Sequence, residues 1–99
     1  MKNINYKNSI PNCLRKYRKA RGLNQRKVAK IMGLKSSSII SRWEKGICLP
    51  SSLNIFKLAV VYRTMIDALF IDQLRELKDN LYKKEEEILK NKVKDKNEK

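Results

Sequence analysis

The stretch that decides the fold runs from Asn24 to Gly46, NQRKVAKIMGLKSSSIISRWEKG. Asn24 is a strong helix N-cap, and Val28, Ala29 and Met32 behind it share one face at helical spacing. Gly33 stops that helix, because glycine accepts the left-handed conformation a helix end needs. Ser36, Ser37, Ser38 and Ser41 then crowd into one short run. Serine is a mediocre helix former that favours caps and turns, since its hydroxyl competes for nearby backbone groups. Ile40 and Trp43 nevertheless lie three apart and point inward together, and Gly46 closes a second helix. Two short helices therefore meet at a tight glycine turn, and the second opens with hydroxyls instead of bulk.

The same pattern extends outward in both directions. Ser9-Ile10-Pro11 reads as a helix start with Ser9 as cap, and Ile10, Cys13, Leu14 and Tyr17 form its apolar face. Gly22 ends it. Pro50 and Ser51 introduce another helix with Ser51 as cap, buried through Ile55, Leu58, Ala59 and Tyr62. Thr64 is positioned to cap a fifth, buried through Ile66, Leu69 and Phe70. No strand alternation or hairpin signal interrupts the series. The expected fold is all-α, with a flexible N-terminus over 1–8 and a five-helix domain over 9–70. Beyond it, Leu74, Leu77, Leu81 and Ile88 form a thin apolar stripe in which Lys84 breaks the seam. A helical extension is expected over 71–90 and a disordered tail over 91–99. The stripe suits pairing with a second subunit, packing back on the domain, or a helix that frays.

Charge narrows the partner. The 99 residues carry a net charge of +14, and the imbalance is local. Residues 1–70 hold 15 basic and 2 acidic side chains, whereas 71–99 hold 9 and 8. Such an excess points to a polyanion bound by the first two-thirds of the chain. Histidine is absent, and Cys13 and Cys48 lack the spacing of a zinc set or a disulfide framework. No cofactor or metal is expected. No Gly-rich phosphate loop or nucleophile–base pair appears, so an enzyme is not expected either. The N-terminus lacks the apolar run of a signal peptide. Lys57, Arg63 and Asp67 interrupt the longest apolar region, which is too broken to cross a bilayer. The composition reads as that of a soluble protein of the cytoplasm, with no membrane partner.

Two short helices at a glycine turn, inside a basic domain, fit a helix-turn-helix. In that geometry the second helix enters the major groove by its first turn, which must be slender. Small hydroxyls at Ser36, Ser37 and Ser38 allow close approach, cap the helix and donate to phosphates or base edges. At this point the chain resembles the Cro/repressor-like (XRE-type) helix-turn-helix family. The resemblance covers roughly Asn12 to Phe70 and rests on LRKYRKARGLNQRKVAKIMG (Leu14–Gly33), ISRWEKG (Ile40–Gly46), Leu49–Ser51, Lys57–Ala59 and Ala68–Phe70.

The resemblance implies a lambda-repressor-like domain that binds double-stranded DNA with the helix around 36–45. It implies that Gln25 contacts a phosphate and orients that helix, and that Ala29 lets the two helices cross closely. Ser37, Ser38, Ile39, Ser41 and Arg42 match positions that face DNA; Lys45 and Leu49-Pro50-Ser51 match a loop on the phosphates. Trp43 and Glu44 match a structural pair, with Arg18 or Arg21 as the acid's partner. Arg26 and Lys27 stand where acids are frequent, and Lys35 is the site of a one-residue insertion before the second helix. Ile39 suits either a thymine methyl or the core. Arg63 replaces a common glycine after the fourth helix.

The function so implied is that of a bacterial transcriptional regulator, nucleoid-associated, with a homodimer formed through 71–90. An antitoxin whose C-terminal tail binds a small protein toxin is the alternative. A basic RNA- or membrane-surface-binding module is more remote: each apolar face has a partner within one domain, and the paired aromatics of sheet-based RNA modules are missing.

Overall fold

The computed structural model describes residues 9–98, with side chains described for 9–91. Six helices account for nearly all of it: α1 (Leu14–Ala20), α2 (Gln25–Met32), α3 (Ser38–Glu44), α4 (Ser52–Tyr62), α5 (Ile66–Leu69) and α6 (Ile71–Glu98). No strand occurs among the described residues, in agreement with the all-α reading. The expected flexible segment 1–8 lies outside the described residues.

The core sits where α1 to α5 converge. Leu14, Val28, Ile40, Leu58 and Leu69, one from each helix, are its fully buried large side chains. Trp43, Tyr62 and Phe70 complete it. The spacing that identifies each helix is also the spacing of the face it buries, as expected for amphipathic helices whose stability comes from packing.

Several ends follow the local chemistry of the sequence. The Asn24 side chain accepts from the Lys27 N–H at 2.7 Å and caps α2. Ser51 accepts from the Asn54 N–H at 3.3 Å and caps α4. Gly33 ends α2 in the left-handed conformation, with φ of 74°.

Other ends correct the sequence reading. The first helix begins at Leu14, not at Ser9, because the preceding residues are drawn away. The Ile10 N–H donates to the Gly46 carbonyl at 3.0 Å, and the Cys13 N–H donates to the Leu69 carbonyl at 2.8 Å. Asn12 then serves as the entry residue: its Oδ1 accepts from the Leu14 N–H at 3.1 Å, while its Nδ2 donates to the Trp43 carbonyl at 3.1 Å. Gly46 has no substitute at this contact, since a Cβ there would lie 2.5 Å from the Ile10 carbonyl oxygen.

Thr64 does not cap α5. Met65 occupies the cap position and no side chain bonds the helix start. Thr64 instead donates its own N–H to the Ala59 carbonyl at 3.0 Å, because Arg63 ends α4 with φ of 56°, the left-handed turn usually left to glycine. α6 continues as one helix to Glu98, longer than the 71–90 expected for it. No glycine or proline lies between 71 and 98 to end it earlier. None of the described helices is long and apolar enough to cross a membrane.

Candidate nucleic-acid interface

α2 and α3 pack across the Gly33 turn. Ala29 is buried at their crossing, where a larger side chain would push them apart, and its carbonyl accepts from the Leu34 N–H at 2.8 Å to tighten the turn. Ile40 and Trp43 anchor α3 from beneath. Ile39 is half-buried and packs in part against the core.

The front of α3 is made of short side chains. Ser36 and Ser38 are exposed and Ser37 is half-buried. Ser36 does the local bonding: its Oγ accepts from the Ser38 N–H at 3.1 Å and lies 2.9 Å from the Ser38 Oγ. Ser37, at the cap position, makes no side-chain cap bond. Capping therefore falls to one serine, and the Ser37 hydroxyl is uncommitted by the helix start.

Behind α3 lies a polar lock. Arg18, only 7% exposed, donates from Nε to Glu44 Oε2 at 2.6 Å and from Nη2 to Oε1 at 3.2 Å. Its Nη1 donates to the Leu23 carbonyl at 2.8 Å. Of the two candidate partners for Glu44, Arg18 is the one; Arg21 instead donates from Nε to the Val61 carbonyl at 3.2 Å. The bond to Glu44 raises the Arg18 pKa against the opposing effect of burial, so the guanidinium stays charged. Gln25 Nε2 donates to Glu44 Oε1 at 2.9 Å, which fixes the start of α2 against the end of α3.

The expected contact residues fall into groups. A recess of about 200 Å³ brings Gln25, Ser41 and Lys45 together with Arg15, over the Arg18–Glu44 pair. A second, of about 250 Å³, gathers Arg26, Lys35, Ser36 and Ser37 with Lys30. Lys27, Ser38 and Arg42 are exposed and line neither recess. Arg15 and Lys30 were missed by sequence reasoning. Their signal was present: Arg15 precedes Arg18 by one helical turn, and Lys30 lies four residues beyond Arg26.

No ion pair engages Arg15, Arg26, Lys27, Lys30, Lys35, Arg42 or Lys45; among the described residues the ion pairs are Arg18–Glu44 and Arg75–Asp72. Seven cations thus surround the α2–α3 unit with no acid to neutralise them. A family model described as helix-turn-helix matches residues 14–69, more than half of the chain. Comparison with curated proteins and with solved structures returns no match.

Proposed function

Because the chain belongs to the Cro/repressor-like (XRE-type) helix-turn-helix family, we propose that it is a sequence-specific double-stranded DNA-binding protein acting as a bacterial transcriptional repressor in the cytoplasm. The observation that carries this reading is the uncompensated charge around a slender helix. Arg26, Lys35, Arg42 and Lys45 are exposed without acidic partners beside the exposed hydroxyls of Ser36 and Ser38. The cations displace counterions from phosphates and supply most of the affinity. α3, entering the major groove by its serine end, supplies discrimination. Arg42 is the side chain best suited to guanine, at about 1–3 kcal/mol for a good bidentate pair. The Arg18–Glu44–Gln25 lock holds α2 and α3 at a fixed angle, so phosphate contacts from one set the register of the other.

Two copies on a palindrome would double the base contacts, with half-sites about 34 Å apart. The exposed Leu74, Leu77, Leu81 and Ile88 on α6 support such a two-subunit form through 71–90. The same stripe supports the second reading, an antitoxin whose α6 is covered by a small toxin; co-purification of a small protein that shields α6 from proteolysis favours it.

Selection of bound duplexes from a random pool tests the main reading. The expected result is a single enriched motif with two-fold symmetry, bound with an affinity that falls steeply with salt. A pool that stays random after repeated rounds refutes sequence-specific recognition.

A further inference from the structure

One apolar surface on the domain has no partner in the fold. Ile31, Met32, Phe56, Lys57, Val60 and Val61 line a groove of about 370 Å³ between α2 and α4. Ile31 is 55% exposed, Phe56 54% and Val60 75%. Val60 continues into a neighbouring shallow recess that includes Arg63 and Met65. Exposed apolar groups that adjoin in this way mark an interaction site more often than chance surface. The charged side chains of this surface, Lys57 and Arg63, are both basic. The acids of residues 9–70 lie elsewhere, Glu44 in the Arg18 lock and Asp67 on α5.

A second unpartnered surface lies on α6. Leu81, Tyr82, Ile88 and Leu89 are all exposed. At about 100° per residue they share one helix face, and Glu85 falls in the middle of that face between the two apolar pairs. Once such a face is buried against a partner, the carboxylate at its centre needs a cation opposite it. Lys57 offers one, set among Phe56, Val60 and Val61 in the groove. The two surfaces match in shape class, as helix in groove, and in charge.

Both surfaces cannot meet within one chain. α6 leaves α5 at Ile71 and runs as an unbroken helix of 28 residues, about 42 Å long. It has no glycine or proline at which to fold back.

We infer that the α2–α4 groove receives α6 of a second copy, with Glu85 of one chain paired to Lys57 of the other and the exchange made reciprocally. The arrangement is isologous, so it closes at two subunits and fills two grooves with two helices. It rests on the two-subunit reading above and changes its geometry: α6 crosses to the partner's domain instead of pairing with the partner's α6.

The test is a charge exchange read by sedimentation equilibrium at low salt. Lys57→Glu alone and Glu85→Lys alone each place like charges at both grooves, and each should weaken self-association at least tenfold. An equimolar mixture of the two variants should restore a dimer of wild-type affinity, since each groove then faces an opposite charge. Val60→Asp, at a site whose exposure spares the fold, should also yield monomers. A wild-type dimer indifferent to Lys57→Glu and Val60→Asp but broken by Leu81→Asp overturns the groove assignment and leaves a direct α6–α6 dimer. A wild-type monomer at all concentrations, with an operator bound, removes the two-subunit form and this inference together while leaving DNA recognition intact.

Discussion

Arg18 and Glu44 lie 26 residues apart in sequence and form the one buried ion pair of the described chain, with Nε–Oε2 at 2.6 Å. The pair ties α1 to the end of α3, and Gln25 extends the tie to α2. A buried pair is costly to break from one side, because the survivor keeps its charge without its partner.

Replacing one member should therefore hurt more than replacing both. Glu44→Ala is expected to cost about 3 kcal/mol, and Arg18→Met a similar amount. The double variant Arg18→Met, Glu44→Leu should recover much of that loss. Urea denaturation of the three proteins measures it. DNA affinity of the double variant should stay low at any temperature where it is folded, because Gln25 also loses its acceptor. A double-variant loss equal to the sum of the two single losses would mean that the pair is not coupled.

Tyr62 supplies a pH prediction. Its hydroxyl is buried with no protein hydrogen-bond partner, and burial, reinforced by the nearby Glu44 charge, pushes the phenol pKa up from its ordinary value of 10.0. The folded chain holds this proton more tightly than the unfolded one. Stability from this group is thus complete below pH 10 and is lost as pH rises above it. Tyr62→Phe should flatten that alkaline decline in thermal melts across pH 9–12. At neutral pH it should be neutral or stabilising, since an unbonded buried hydroxyl disappears.

Arg63 holds a left-handed backbone at φ of 56°. That conformation costs a non-glycine residue about 1 kcal/mol. Arg63→Gly should raise stability by about that much in chemical denaturation, with the Thr64 N–H still bonded to Ala59. A loss of stability would show that the arginine side chain holds the turn by contacts of its own.

Arg42 and Arg26 separate reading from anchoring. Arg42→Ala should lower affinity and relax preference at one base position. Arg26→Ala should weaken binding to all sequences alike and reduce the salt slope by about one. Titrations against the selected operator and single-base variants, across a salt series, distinguish them. Identical behaviour of the two variants would remove the distinction.

Much of this architecture was legible in residue spacing. The core faces of α2 and α4 and the caps at Asn24 and Ser51 follow from local periodicity and side-chain chemistry, which the tertiary context here reinforces. Ser9 and Thr64 were misread for one shared reason. Each has the right residue type for a cap, but backbone bonds to other parts of the chain take precedence: the long-range Ile10 to Gly46 in one case, and in the other the local Thr64 to Ala59 bond that closes α4 after the Arg63 turn. Choosing Arg18 over Arg21 needed three dimensions, since both precede Gly22 on the same short helix end. Arg15 and Lys30 carry a helical-spacing signal, but only the recess beside each one, which the fold creates, separates them from the other surface cations.

The residues ahead of α1 carry a practical meaning. Ser9 to Cys13 lie outside the matched family segment of 14–69, yet Ile10 is bonded to Gly46 and Cys13 to Leu69. Those two bonds fasten the exits of α3 and α5 to the same five-residue strap. An excised fragment starting at Leu14 would keep every recognised motif and lose its clasp, so the smallest piece able to stand alone starts upstream of where its relatives' pattern does.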